Sequence, residues 1–235
     1  MLIKVCGMRQ AHNIHEVEQT GIDLMGFIFY PKSPRFVSMM PSHSGIVPDH
    51  APAGTSGTAG GERHVRRVGV FVDDMAQNII TRVYNHELDY VQLHGSETPR
   101  FIDNLRRTID PDIRPGIRFI KALSIGSIGD FALWKQYRGH ADMLLFDTRC
   151  RSHGGSGNKF DWSLLDAYDG DIPFLLSGGI GPDDAPAIRS ISHPQFAGID
   201  LNSGFETEPG IKDVTLLRRF IGECRGRFQS RPSPA

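Results

Sequence analysis

Several residues with acid, base or cationic side chains stand where apolar runs of this sequence end. Cys6 follows a run that begins at Leu2, and Gly7 next to it is free to adopt unusual backbone angles. Asp147 ends another apolar run, at a place where an unpaired carboxylate is costly to desolvate. A base and an acid that face each other across one pocket suit proton transfer at a carbon beside a carbonyl or imine.

Each of these residues also has a structural interpretation. Free cysteines are usually small buried hydrophobes, and the local sequence alone favours that interpretation for Cys6. Asp147 can cap a helix or pair with Arg149. Lys32 and Arg35, held between prolines and aromatic residues, are either solvated or in contact with an anion. The choice depends on which elements carry these side chains and whether the elements bring them together.

Strand-like and helical runs alternate along the chain, and eight of them are strand-like. The strand-like runs lie at 2–5, 24–29, 68–72, 90–95, 117–122, 143–146, 173–177 and 196–201. Repeated β-then-α order predicts a parallel sheet of the α/β class. Eight such units in 235 residues predict a single-domain (β/α)8 TIM barrel over residues 1–224. An open doubly wound sheet is the alternative, because a count of strands does not establish closure.

Two segments depart from this alternation. Residues 41–64 are rich in Gly, Ser, Pro and Ala, so they predict a flexible insertion, an irregular loop that replaces or disrupts the second helix. Residues 225–235 predict a disordered tail.

Composition excludes several kinds of partner. The net charge of -1 gives no reason to expect nucleic acid or an anionic membrane surface. No apolar run approaches the length of a membrane span. Cys6, Cys150 and Cys224 are odd in number and far apart, and no CxxC pair or Cys/His cluster suggests a metal. We therefore expect a soluble cytoplasmic protein with free thiols and no bound metal.

In a barrel the carboxyl ends of all strands share one face, so residues distant in sequence converge there. The residues at these ends are Cys6, Lys32 and Arg35, Gln92 and His94, Asp147, Gly178 and Gly179, and Asp200 and Asn202. Barrel enzymes often bind phosphate through backbone N–H groups after strands seven and eight, where this chain has Gly178-Gly179 and Asn202-Ser203-Gly204. One such turn can be merely steric, but the two together indicate a phosphate ester.

A set of motifs in consistent order supports a more specific interpretation. They are KVCGMR at 4–9, GFIFYPKSPRFV at 26–37, GVFVDD at 69–74, VQLHG at 91–95, LLFDT at 144–148, GGSGNKFDW at 154–162, LSGGI at 176–180 and GIDLNSGFETEPGIKD at 198–213. In this combination the chain closely resembles the phosphoribosylanthranilate isomerases of tryptophan biosynthesis, from residue 3 to about residue 213.

The resemblance implies an Amadori rearrangement that needs no metal or organic cofactor. N-(5-phosphoribosyl)anthranilate would become 1-(2-carboxyphenylamino)-1-deoxyribulose 5-phosphate, with Cys6 as the general base and Asp147 as the general acid. Asp147 must then hold a proton when the substrate binds, and Cys6 must lose one near neutrality. A free thiol titrates near pH ~8.5, so we expect a site that favours the thiolate.

The resemblance also implies the substrate contacts. Arg35 would hold the anthranilate carboxylate, for which its planar fork is suited, and Asp200 would lie near the anthranilate amine or the ribose hydroxyls. Gln92 and His94 would line the pocket, with no catalytic role for His94. The expected phosphate ligands are Gly155, Ser156, Gly157, Gly178, Gly179, Asn202, Ser203 and Gly204. Asn202 stands where the family commonly has serine, and we expect this to be tolerated because a backbone N–H can still serve a phosphate.

Two rival functions stay open. Indole-3-glycerol-phosphate synthase, on a similar barrel, would call for catalytic lysine and glutamate at strand ends, where this chain has Cys6 and Asp147 instead. A catalytically silent barrel that only binds a phosphorylated ligand would need neither Cys6 nor Asp147. The expected partner is a small phosphorylated substrate, and the chain is expected to be a monomer or weak homodimer.

Overall fold

The chain forms a closed barrel of eight parallel strands in sequence order. The computed structural model describes residues 1–38, 65–148 and 161–226. The strands are β1 (Leu2–Val5), β2 (Leu24–Ile28), β3 (Arg66–Phe71), β4 (Tyr90–Leu93), β5 (Arg118–Ile125), β6 (Met143–Thr148), β7 (Phe174–Ser177) and β8 (Phe196–Leu201). Because β1 pairs with both β2 and β8, the sheet has no free edge. The predicted TIM barrel is confirmed, and the open sheet is excluded.

Helices cover the outside of the barrel. Among the described residues the α-helices are α1 (Ala11–Glu18), α2 (Ala76–His86), α3 (Pro99–Ile109), α4 (Ala185–Arg189) and α5 (Val214–Cys224). The first turn of α3 is fixed by Thr98, whose hydroxyl accepts from the backbone N–H of Phe101, and by Pro99 at the first helical position.

Two of the connections between strands are 3₁₀ helices. They span Ile128–Tyr137 and Trp162–Ala167. In the first, the buried side chains are Phe131, Trp134 and Tyr137. Their spacing of three matches the three residues per turn of a 3₁₀ helix, so this tighter winding places all three rings on one face.

Some predicted segments lie outside the described residues. This is true of the whole predicted insertion at 41–64 and of 227–235 in the predicted tail. At the start of that tail, Arg225 Nη2 donates to Asp23 Oδ2 at 2.8 Å and joins the end of α5 to the loop before β2.

The core has two layers of apolar side chains because successive residues of a strand face opposite sides. The smaller cluster lies inside the barrel and comprises Leu24, Val68, Tyr90, Ile120, Ala122, Met143, Leu145 and Leu175. The larger one lies between the strands and the helices and includes a stack of aromatic rings. There Phe146 packs 4.6 Å from Phe174 and 5.0 Å from Tyr168, measured between ring centroids.

No helix among the described residues is both long and apolar enough to cross a membrane.

A short antiparallel hairpin follows β8 and was not predicted. Its strands are β9 (Glu206–Glu208) and β10 (Ile211–Lys212). The side chain of Asn13 on α1 fixes it through two hydrogen bonds, from Nδ2 to the carbonyl of Lys212 at 2.9 Å and from the Lys212 N–H to Oδ1 at 2.8 Å. The hairpin is therefore tied to the first helix and sits beside the carboxyl ends of the strands.

Closure between β1 and β8 requires a glycine. The register pairs Leu2 with Gly198, and a Cβ atom added to Gly198 would lie 2.0 Å from the backbone oxygen of Leu2. No side chain can move out of the way, because the clash is with backbone.

We predict that Gly198→Ala lowers the free energy of unfolding by about 2–3 kcal/mol, since it forces the closing strands apart. Urea unfolding followed by circular dichroism measures the change. Gly129→Ala is the matched control, because its nearest side-chain atom would be 3.9 Å away, and we expect it to be neutral or slightly stabilising. Equal stability of both variants would contradict the steric role of Gly198.

Candidate active site

A cavity of about 220 Å³ opens at the carboxyl ends of the strands. Its lining comprises Cys6, Ile28, Val70, Gln92, His94, Asp147, Ser177, Gly178, Gly179, Ile180, Asp200, Asn202, Ser203 and Gly204. The structure thus brings together most of the residues that the sequence placed at strand ends. The exceptions are Lys32, which is exposed, Arg35, which lies beside this cavity, and the predicted phosphate ligands Gly155, Ser156 and Gly157, which lie outside the described residues.

Cys6 is held tightly at the end of β1. Its backbone N–H donates to the carbonyl of Leu201 at 2.8 Å, and its side chain is buried. Gly26 on β2 makes room for the thiol, because a Cβ atom there would lie 2.7 Å from Sγ. The position of the sulfur is therefore set by the backbone on both sides.

Several charges act on the Cys6 thiol. Burial raises its pKa, the nearby Asp200 carboxylate raises it further, and the ammonium groups of Lys4 and Lys212 oppose that rise. Burial dominates, so the pKa lies above its usual value, contrary to the expectation that the site as a whole favours the thiolate. The charges of Lys4 and Lys212 lower the pKa of the thiol and so favour the thiolate.

Asp147 faces a histidine across the cavity. His94 Nε2 lies 3.4 Å from Asp147 Oδ2, and His94 Nδ1 lies 3.0 Å from Gln92 Nε2. A ring that accepts from Gln92 at Nδ1 carries its proton on Nε2, facing the carboxylate. The sequence analysis predicted no catalytic role for His94, and the structure places its ring in contact with Asp147.

Asp200 joins the two strands that close the barrel. Its Oδ1 accepts from Lys4 Nζ at 2.8 Å, and its Oδ2 accepts from Ser177 Oγ at 3.4 Å. All of Lys4 and nearly all of Asp200 is buried. A buried carboxylate of this kind is tolerated because its charge is paired and hydrogen-bonded.

The two glycine-rich turns have steric requirements of their own. Gly178 has a φ of +91°, and a Cβ atom there would lie 2.2 Å from the carbonyl oxygen of Thr148. A Cβ on Gly204 would lie 2.4 Å from the carbonyl oxygen of Ile180. Steric necessity thus explains these glycines, and both turns line the cavity.

Arg35 is already engaged by a carboxylate that the sequence analysis did not single out. Its Nε donates to Glu206 Oε1 at 2.8 Å, and its Nη2 bonds to Oε2. Glu206 also accepts from Lys212 Nζ at 2.7 Å and from the Gly210 N–H at 3.1 Å. A ligand carboxylate would therefore have to use the Nη1 side of the guanidinium.

The same network fixes Asn202. Lys212 Nζ donates to Asn202 Oδ1 at 2.8 Å, which holds the amide beside Gly7. Gly7 has a φ of +79°, and a Cβ atom there would lie 2.8 Å from Asn202 Oδ1 and 2.6 Å from Arg35 Cδ. The asparagine thus has a defined structural partner. Among the described residues, no group of His, Cys, Asp and Glu could hold a metal ion.

Comparison with known proteins agrees with this architecture. A family profile described as N-(5'phosphoribosyl)anthranilate (PRA) isomerase matches residues 3–223. The chain belongs to this isomerase family. A relative from Parabacteroides distasonis, named N-(5'-phosphoribosyl)anthranilate isomerase, is 45% identical over 94% of this chain and 92% of its own length.

Solved structures of the isomerase family share the fold. The phosphoribosylanthranilate isomerase from Thermotoga maritima is 32% identical, with a TM-score of 0.73 over 96% of this chain and 99% of its own. A second structure of the family is in complex with reduced 1-(o-carboxyphenylamino)-1-deoxyribulose 5-phosphate. It is 28% identical, with a TM-score of 0.73 over 96% of this chain and 99% of its own.

Three charged residues of the isomerase site were missed by sequence reasoning. Lys4 could have been found, because it interrupts an apolar strand and alternation places it on the same face as Cys6. Glu206 and Lys212 carry no comparable signal, because they meet Arg35 only through the hairpin.

We predict that Glu206→Gln lowers the free energy of unfolding at pH 7 by about 3 kcal/mol, since it leaves Arg35 and Lys212 without their buried counter-charge. These two cations depress the pKa of Glu206 from an ordinary 4.5 to about 2 against the effect of burial. A depressed carboxylate pKa stabilises the fold above the unfolded-state pKa, and that contribution is lost as the pH falls from about 4.5 to about 2.

The gap in stability between native and variant chains should therefore narrow through this pH range. Urea unfolding at pH 7, 4 and 3 measures it. Glu208→Gln, on the exposed part of the same hairpin strand, is the control and should change stability by less than about 0.5 kcal/mol. A difference in unfolding free energy that does not depend on pH would contradict the role of ionised Glu206 in binding Arg35 and Lys212.

Proposed function

We propose that this chain converts N-(5-phosphoribosyl)anthranilate to 1-(2-carboxyphenylamino)-1-deoxyribulose 5-phosphate, a step of tryptophan biosynthesis, in the cytoplasm. The observation that carries the proposal is that Cys6 and Asp147 line one cavity together with the glycine-rich turns after β7 and β8. Membership of the isomerase family supports the substrate.

The reaction divides between an acid and a base. Asp147 donates its proton to the ribose ring oxygen, so the C1–O bond breaks and the nitrogen lone pair forms an iminium at C1. This cation acidifies the hydrogen on C2, which the Cys6 thiolate removes to give an enolamine. The enolamine tautomerises to the ketone, in which C2 carries the carbonyl and C1 the amine.

His94 lies beside the proposed acid, Asp147, and the charge of Lys4 acts on the proposed base, Cys6. The N–H of His94 beside Asp147 orients the carboxyl group toward the cavity, so that its proton can be delivered to one place. Deprotonation of Cys6 has to overcome burial, and Lys4 and Lys212 supply the opposing charge. The acid and the base therefore have separate surroundings within one pocket.

The remaining contacts follow from the shape of the cavity. A phosphate group at the turns after β7 and β8 would leave the ribose between Cys6 and Asp147, with Asp200 near the amine or the ribose hydroxyls. Arg35 would meet the anthranilate carboxylate through the Nη1 side of its guanidinium, because Glu206 occupies the other side. We still predict that the chain is a monomer or weak homodimer. We also predict that it needs no metal, cofactor or nucleic acid.

We predict that Cys6→Ser and Asp147→Asn each lower kcat by about two orders of magnitude or more, because each removes one of the two proton transfers. Decay of anthranilate fluorescence with freshly made phosphoribosylanthranilate measures turnover. Cys224→Ser is the matched control, because Cys224 is also a buried cysteine but lies on α5, away from the cavity, and we expect it to keep native turnover.

The contrary outcomes are distinct. A native chain that binds the substrate without turning it over would be the silent phosphate-binding barrel. Full activity of Cys6→Ser would keep the isomerase but remove its base.

A further inference from the structure

Lys4 is an unusual residue for the inside of a barrel. It lies two residues before Cys6 on β1, so both side chains face the interior. The register pairs Lys4 with Leu24 on one side and Asp200 on the other, at the level of the inner apolar cluster. Its side chain is 0% exposed. A buried ammonium group is costly, so its retention here needs a reason beyond packing.

Lys4 contacts a carboxylate that shares the cavity with the Cys6 thiol. Nζ donates to Asp200 Oδ1 at 2.8 Å, and Asp200 and Cys6 line the same cavity. An ammonium group has three N–H donors, so it can hold a carboxylate and a sulfur together. The acid–base steps proposed above use Lys4 only as a charge that opposes the effect of burial on Cys6.

Other charged groups surround Cys6 but are committed elsewhere. They are Asp200 on β8, Lys212 on β10, Arg35 after β2, and His94 and Asp147 across the cavity. Lys212 donates to Glu206 and Asn202, and Arg35 is clamped by Glu206. Lys4 is the cation on the strand of Cys6 itself, two residues below the thiol on the same face, and its charge lowers the pKa of that thiol.

We propose that Lys4 is a positioning residue for the base: its ammonium group, anchored by Asp200, holds the Cys6 sulfur in place and stabilises the thiolate. The inference deepens the proposed function and rests on Cys6 being the base of that reaction. Asp200 then has two tasks, since it keeps Lys4 charged and fixes the ammonium group under the sulfur.

The test is a pH titration of the thiolate's ultraviolet absorbance, in which each protein is referenced to the same protein carrying Cys6→Ser. In Lys4→Met we expect the Cys6 midpoint to rise by at least about one pH unit, which is a tenfold smaller thiolate fraction at neutral pH. Lys4→Arg keeps the charge and should restore most of the shift. The acid limb of the kcat/KM profile should move with the midpoint in both variants.

Lys121→Met is the matched control for loss of a buried lysine. Lys121 is also buried and paired, at 3.0 Å from Glu97 Oε2, but it lies on β5 and does not line the cavity. We expect it to leave the Cys6 midpoint unchanged. An unchanged or lower midpoint in Lys4→Met, or an equal rise in Lys121→Met, would overturn the proposal.

A reciprocal measurement decides the matter if Lys4→Met does not fold. Coupling between two sites is symmetric, so Cys6→Ser should lower the midpoint of Lys4 itself, followed by NMR of its ε-carbon in the full chain. An unmoved Lys4 midpoint would reject the coupling. Neither titration uses substrate, so an inactive native chain would defeat the proposed isomerase while leaving the result on Lys4 intact.

Discussion

The barrel closes between β8 and β1, and the ion pair of Lys4 and Asp200 lies across that closure, inside the sheet. Either charge alone would be costly to bury by several kcal/mol, so the pair is stable only when both strands are in register. Correct closure and correct placement of Cys6 therefore have the same physical requirement. Closure at this pair therefore also determines the positions of the side chains above it, which are Cys6 on β1 and Asn202 after β8.

A second charged network stabilises the rim. Glu206 joins Arg35 to Lys212, and Lys212 in turn holds Asn202. The two networks lie on either side of Cys6, with one beneath the sulfur and the other beside it. Fixing the charges in this way before a ligand arrives means that little reorganisation is needed during the reaction, which is the main source of electrostatic catalysis in enzymes.

The sequence predicted the barrel well because each strand is an apolar run with a clear end, and strand ends in a barrel converge by geometry alone. It failed where the determinant is a partner remote in sequence. The alternation of side chains along β1 predicts the face on which Lys4 lies, but it does not predict its pairing with Asp200. No local sequence pattern predicts that Glu206 binds Arg35. The spacing of three between Phe131, Trp134 and Tyr137 matches a 3₁₀ helix and could have predicted that winding.

Closure through β1 and β8 also has a consequence for how the protein is made. The contacts that complete the site join residues 171 apart in the clamp of Arg35 and 196 apart in the ion pair of Lys4. Asn13 reaches the hairpin over a separation of 199 residues. The proposed base, Cys6, follows the first strand of the barrel, whereas β8 and the hairpin that complete the site are synthesised only after the seven other strands. The site therefore forms as a late, long-range folding event, after β8 and the hairpin have been synthesised.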